Sequence, residues 1–529
     1  MTIAVDFGTC NTVVARWNEA LDDVEVPSIP ELTKVFSYLV PGAKQAVQTK
    51  VIPSLVHYGQ DENTLVGNQV ERAGLVDHSA TFRWAKMDLL KRNLRNRRVH
   101  GRLVNPQQAA GDLLAKILLF ARGAFGGGDE DLVATVPVEA YDFYVDWVRE
   151  TVGPQFPRGV TILDEATACI LGYREQVKND EPYLIVDFGG GTLDVSLVRT
   201  NLDADGQQKC RLLGRAGEEL GGMLVDQWLL ERLVQAESLS AQDVRDVGTP
   251  LLRLIEEAKI ALSCGRPTFD ITQLNDVTGT LISHTFTAAD LRQILDAKQV
   301  YRLVTQTIDR ALEAANLKYG TQKSAVQGVF LVGGSSLLLG VPQLIVSYFP
   351  ACKVYCSKPF EAIARGACRY LGQDFNPTLV HDYCLRSWEP EQGEYVLVPV
   401  VEKGTQYPTE KPVKAKYVKA ACDGAQVLGM VVVERSYMTR PEGWDPWAVQ
   451  VEDRADRNVR VIFDGDDFIV ADPPCSQGER RFIAAFGVDQ HKRLTVAIKD
   501  LKEGNRSYIQ LRDGQRFPLP VTDFPVVRL

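Results

Sequence analysis

Leu184-Ile185-Val186-Asp187-Phe188-Gly189-Gly190-Gly191-Thr192 is a short apolar run that ends in an acid, an aromatic ring, three glycines and a threonine. A second apolar run, Val195-Ser196-Leu197-Val198, follows at once. Strand, glycine turn, strand is the signature of a tight hairpin. The N-terminus carries the same pattern, Ile3-Ala4-Val5-Asp6-Phe7-Gly8-Thr9 and then Thr12-Val13-Val14-Ala15. The copies stand about 180 residues apart, the length of a lobe and not of a solenoid repeat. Two similar halves that face each other are therefore expected.

Strands and helices alternate around these hairpins. Leu132–Pro137 and Val160–Leu163 read as strands, Phe143–Val152 as a helix, and a further helix starts near Asp164 and Glu165. Helical segments follow around Leu224–Leu233, Leu251–Leu262 and Val304–Ala315. Gly328–Val332 reads as a strand ending in Gly333-Gly334-Ser335, which opens a helix near Val341–Phe349. Such alternation predicts an α/β architecture. The texture changes near residue 375, after which short strands and turns dominate, among them Tyr395–Val401, Val427–Val433, Phe482–Val488 and Leu494–Ile498. Leu494, Val496 and Ile498 alternate with Thr495, Ala497 and Lys499, the pattern of a half-buried strand. The expected domains are residues 1–375, a linker over 376–390, and an all-β sandwich-like domain over 391–529.

Composition sets outer bounds. The 529 residues are 45% hydrophobic and 24% charged, with a net charge of −9. An acidic surface of this kind argues against a general binder of nucleic acid or membranes. No basic leader with an apolar core opens the chain, and no stretch approaches the ~20 apolar residues of a membrane span. A cytoplasmic location is expected, with the ten scattered cysteines as reduced thiols. Cys352 and Cys356 lack the second ligand pair that a metal site would need.

The hairpins also carry chemistry. A phosphate chain needs backbone N–H donors, hydroxyls and a cation. Glycine turns let the backbone approach closely and form anion-binding nests. Gly8-Thr9-Cys10-Asn11 and Gly189-Gly190-Gly191-Thr192 supply both features. Asp6, Asp187 and Asp194 lie beside them, and carboxylates fit next to a polyphosphate where Mg²⁺, keeping several waters, lies between. One glycine hairpin is a commonplace of structure; two at lobe spacing favour a shared phosphate site. Gly333-Gly334-Ser335, after a buried strand, is a third element of the set.

In order and spacing these motifs resemble the actin, sugar-kinase and heat-shock ATPase superfamily, and within it the DnaK-type seventy-kilodalton heat-shock chaperones. Ala134-Thr135-Val136-Pro137, Asp164-Glu165-Ala166-Thr167-Ala168, Leu220-Gly221-Gly222 with Asp226, and Glu256-Glu257-Ala258-Lys259 with Leu262-Ser263 carry the likeness over roughly residues 1–372. It implies a two-lobed actin-like ATPase domain that binds ATP or ADP with Mg²⁺. Thr9 and Thr192 would contact phosphates, and Asp6, Asp187 and Asp194 would hold the hydrated cation, directly or through water. Glu165 would position the attacking water near Asp187, and Lys86 would reach the γ-phosphate. Glu256 and Lys259 would meet the ribose, with Gly221, Gly222, Ser263, Gly333, Gly334 and Ser335 completing the nucleotide site.

Departures from the family pattern carry expectations of their own. Ile260 and Leu337 stand where two adenine-sandwiching arginines are usual, and Phe360 replaces an aspartate. Arginine stacking contributes ~0.5–2 kcal/mol per contact, so nucleotide binding weaker by about tenfold to several hundredfold is expected, with reduced adenine selectivity. The linker has only Leu379 and Val380 where a run of leucines is usual, which implies weaker interdomain coupling, and His381 beside them is expected to face solvent. Val398–Thr409, with Phe482, Phe486, Val488 and Asp489, resembles the family's substrate-binding sandwich, and no helical lid follows. The resemblance implies client protein segments, a J-domain cochaperone and an exchange factor as partners. The resulting expectation is a chaperone-like ATPase with slow turnover. The alternatives are a nucleotide-binding scaffold or sensor without turnover, an actin-like filament protein and a sugar kinase.

Overall fold

Both glycine hairpins form as the pattern predicts. In the computed structural model, strands Thr2–Phe7 and Asn11–Asn18 pair antiparallel, as do Pro182–Phe188 and Leu193–Leu202. The structure describes residues 2–40, 46–61, 63–91, 93–125, 130–137, 142–202, 208–370, 379, 381–389, 393–435, 459–489, 493–511, 515–519 and 526–528. Each hairpin seeds its own mixed sheet by one rule. Its first strand pairs in parallel with a later strand, and that strand pairs in parallel with one later still. In the first sheet the series is Thr2–Phe7, Asp131–Val136 and Val160–Asp164. In the second it is Pro182–Phe188, Gly328–Val332 and Lys353–Tyr355. The strands of these parallel series are almost continuously apolar, as strands covered on both faces must be.

Each sheet has its own hydrophobic core. Ile3, Val5, Val14, Leu113, Ile117 and Val145 belong to the first, and Val186, Leu197, Leu229, Ile255, Ile308 and Leu331 to the second. The helices that cover the second sheet run over Gly222–Ala236, Ala241–Ser263 and Val300–Tyr319. Ser240 and Asp243 form a reciprocal capping box at the start of the second of these. Two helices meet face to face through glycines. A Cβ on Gly172, in Glu165–Gly172, would lie 2.0 Å from the Ala362 carbonyl oxygen, and one on Gly366, in Ala362–Arg369, 1.7 Å from that of Ala168. This contact seats the helix that begins with Glu165.

Cα packing separates a unit of the described residues up to 370 from a second unit of those from 379 onward. The second unit is all β. A six-stranded and a four-stranded sheet share one core, to which Tyr383, Val432, Phe468 and Ile509 contribute from the first sheet and Phe482, Phe486, Val496 and Ile498 from the second. Two sheets over one core make a β-sandwich.

The stretch expected to be linker departs from that reading. Asp382–Glu389 is a strand of the sandwich, paired with Glu394–Val401 and Ala425–Arg435. Leu379 is fully buried in the sandwich core, bonded through its backbone to Thr405 and Gly404. His381 is also fully buried and does not face solvent; its Nε2 lies 3.8 Å from Glu434. Asn376, Pro377, Thr378 and Val380 lie outside the described residues. No helix among the described residues is long and apolar enough to cross a membrane, and all ten cysteines are free.

Candidate functional site

The two glycine turns touch. A Cβ on Gly190 would come within 2.8 Å of Cys10 Sγ and 3.5 Å of Thr9 Cβ, so glycine there lets the turns approach. Each turn is tied from behind. Ser54 Oγ donates to the Gly8 carbonyl (2.8 Å), and Ser54 N donates to that of Cys10 (2.8 Å). In the second turn Gly189 N donates to Thr192 O (2.9 Å), and Ser335 Oγ donates to Gly189 O (2.8 Å). Gly222 N and Met223 N, at the start of the Gly222–Ala236 helix, donate to the carbonyls of Gly189 and Gly190. Thus Gly221, Gly222 and Ser335 brace the turn that sequence reading assigned to phosphate.

Carboxylates gather at the ends of the same strands. Asp6 accepts a hydrogen bond from Thr135 Oγ1 (2.8 Å). Asp187 and Asp194 are direct cross-strand partners, so their side chains share one face of the second sheet. Glu165 opens its helix behind the Asp164 cap and accepts from Lys86 Nζ at 3.3 Å. Lys86 is almost wholly buried on the Ala85–Leu90 helix.

Desolvation sets the protonation of this group. Burial raises Asp6 above the usual carboxylate range against the pull of Lys86 and Thr135. Burial, with Glu165, Asp194 and Asp6 adding repulsion, raises Asp187 well above it. Glu165 is pushed up to about 7 by burial, with Lys86 opposing and Asp6 and Asp194 adding. Burial alone would pull Lys86 down; Glu165, Tyr144 and Asp6 outweigh it and keep the ammonium charged. Buried acidic groups raised in this way, mainly by desolvation, single the cluster out as a candidate functional site. Asp6, Asp187 and Asp194, hard oxygen donors at the ends of the two hairpin strands, are the residues that could hold a hydrated Mg²⁺.

The residues expected near ribose and base are brought together, but they are engaged with protein groups. Lys259 Nζ donates to Gly222 O (3.0 Å) and to Asp226 (2.8 Å). Glu256 pairs with Arg83 (2.9 Å). Ser263 Oγ accepts from Leu339 N (3.2 Å). Gly333, at φ 78°, lies where a Cβ would strike Asp187 Oδ1 at 2.7 Å, and the edge of Phe360 covers Gly334. The Gly333-Gly334-Ser335 turn opens a short 3-10 helix, Gly334–Leu337, and the α-helix expected near Val341–Phe349 forms over Val341–Tyr348. Burial pushes the Cys10 thiol up to about 12, which leaves it unreactive.

The Hsp70 protein family profile matches residues 90–411, well over half the chain. The chain belongs to the Hsp70 family. Two relatives, each named chaperone protein DnaK, show its distance from other Hsp70 members. That of Psychrobacter cryohalolentis is 26% identical over 448 residues, covering 77% of this chain and 64% of the relative. That of Picrophilus torridus is 25% identical over 530 residues, covering 96% of this chain and 77% of the relative. The chain thus spans less than two thirds of the length of the first.

Within this Hsp70 chain, motif reading missed the groups that act on the motif residues from a distance. These are Thr135 on Asp6, Tyr144 beside Lys86, Arg83 on Glu256 and Arg215 on Asp194. Only Thr135 carried a signal, since it sits inside the Ala134–Pro137 motif.

Proposed function

We propose that this chain binds ATP or ADP with Mg²⁺ at the paired glycine turns and hydrolyses ATP slowly. In this reading the nucleotide state governs how the β-sandwich grips segments of client proteins. One observation carries it: Asp6, Glu165, Asp187 and Asp194 gather with Lys86 beside two phosphate-type turns that touch each other.

The bound cation would neutralise phosphate charge and orient the phosphates. Asp6, Asp187 and Asp194 would hold the hydrated cation, directly or through its waters. Thr9, Thr192 and the N–H groups around Gly8, Cys10, Asn11 and Gly189–Gly191 would cradle the phosphate oxygens. Glu165, with Asp187, would orient a water for in-line attack, and Lys86 would balance the charge that develops on the phosphoryl oxygens. Glu256, Lys259, Ser263 and the Gly333–Ser335 turn would border ribose and base, with Ile260 and Leu337 supplying apolar contact. Residues 1–375 form the nucleotide domain in this reading. The sandwich takes clients, helped by a J-domain cochaperone and an exchange factor, in the cytoplasm and without nucleic acid or membrane.

Phosphate release with Mg²⁺-ATP, measured for the wild type and for Asp187→Asn, tests the reading. Slow release that is lost in the variant is expected. No release, with ATP-dependent thermal stabilisation retained, would reduce the protein to a nucleotide-sensing scaffold.

A further inference from the structure

One buried cation beside the carboxylates is not used by the chemistry above. Arg215 lies on the Gln208–Glu218 strand, and its side chain has no exposure to solvent. Its guanidinium donates to Asp194 Oδ1 at 3.1 Å. The contact is diagonal across the sheet, since Asp194 stands opposite Gly217, two residues on from Arg215. Asp194 in turn stands opposite Asp187 on its other side. A row therefore crosses three adjacent strands, Asp187, Asp194, Arg215, with the permanent positive charge at its outer end.

We infer that Arg215 is a positioning residue that acts as a resident counter-ion: it holds Asp194 and supplies, from within the fold, positive charge that this cluster needs when a polyphosphate arrives. The inference rests on the nucleotide reading above. Four carboxylates, Asp6, Glu165, Asp187 and Asp194, face two cations, Lys86 and Arg215. Loss of Arg215 would leave Asp194 uncompensated. Free ATP carries more negative charge than its Mg²⁺ complex, so the extra repulsion falls harder on the free form. Arg215 thereby sets how strongly nucleotide affinity depends on divalent cation.

The test measures the dissociation constant for ATP in Mg²⁺ and in EDTA, and divides the EDTA value by the Mg²⁺ value. Arg215→Gln is expected to raise that ratio about tenfold or more, the scale of one unbalanced charge at short range. Arg215→Lys keeps the charge and should stay near the wild-type ratio. If Arg215→Gln does not fold, Arg215→Met, which keeps the length of the side chain without its charge, should raise the ratio in the same way. A merely structural Arg215 would lower the melting temperature and leave the ratio unchanged in every folded variant; that result overturns the inference. A wild type that binds no ATP in either condition would remove the nucleotide reading, and this inference with it.

Discussion

Gly366→Ala should damage the proposed site without touching it. Gly366 sits inside the buried Ala362–Arg369 helix, against the helix that begins with Glu165. A methyl group there would stand 1.7 Å from the Ala168 carbonyl oxygen and 2.6 Å from Gly172 N. Both neighbours are backbone, so no rotamer change relieves the clash. The helices must part by roughly 1 Å or more before the contact becomes tolerable. Overpacking of this kind costs about 1–3 kcal/mol. Alanine gains back about 1 kcal/mol over glycine in a helix interior. The net expectation is a loss of about 0–2 kcal/mol, and of up to a few degrees in melting temperature.

The functional effect should be larger than the loss of stability. Glu165 opens the displaced helix and meets Lys86 at 3.3 Å, a contact with no slack. A misplacement of about 1 Å in a positioning group can slow a reaction by ~10²-fold. Gly248→Ala is the control. It lies inside Ala241–Ser263 with its nearest neighbour, Val244 Cγ1, at 3.8 Å, so it should stabilise by about 0.5–1 kcal/mol and spare turnover. Thermal unfolding and phosphate release on the three proteins decide the matter. A Gly366→Ala protein as stable and as active as the wild type would refute the argument that this helix contact positions Glu165.

Other expectations concern charge and the base. Arg481 and Asp500 form a bidentate pair in the sandwich, with bonds of 2.8 and 2.7 Å and side chains 1% and 0% exposed. Arg481→Met strands the carboxylate, which should cost about 3–5 kcal/mol in urea unfolding of the sandwich, and adding Asp500→Leu should restore most of it. Burial sets Glu165 near 7 in the folded state, against 4.5 as its ordinary value. The stability linked to its proton is therefore fully present below pH 4.5 and lost as pH rises through 7. Without nucleotide, the melting temperature of Glu165→Gln should gain on the wild type as pH rises from 4.5 to 7; a constant difference over that range would contradict this. Ile260→Arg with Leu337→Arg should tighten ATP binding by about tenfold or more and favour it over GTP, as titration with both nucleotides would show.

Short-range pattern carried the two hairpins and most helices, because each depends on neighbours in sequence. Leu494, Val496 and Ile498 are buried as their alternation implied, for the same reason, but Ala497 between them is buried as well. What escaped depends on partners far along the chain. Leu379 and His381 read as linker because nothing local announces Thr405 and Glu434 as neighbours. Arg215 is one more arginine in a strand until the sheet sets it diagonally from Asp194. The hairpin of Thr268–Asn275 and Thr280–Thr287 was also missed: its second strand mixes polar and apolar residues, and only Ile282 and Phe286 are buried on one face.

The same long-range assembly sets the charge balance of the cluster. Four carboxylates at strand and helix ends repel one another, and desolvation raises that cost. Asp6, Asp187 and Asp194 have little freedom to part, because each belongs to a hydrogen-bonded strand fixed by register. Protonation is the nearest relief, and the upward shifts of Asp6, Glu165 and Asp187 are its signature. A divalent cation with phosphate would offer another by replacing those protons. Binding should then release protons near neutral pH and stabilise the protein beyond what the contacts to the ligand supply, because it also removes repulsion built into the nucleotide-free fold.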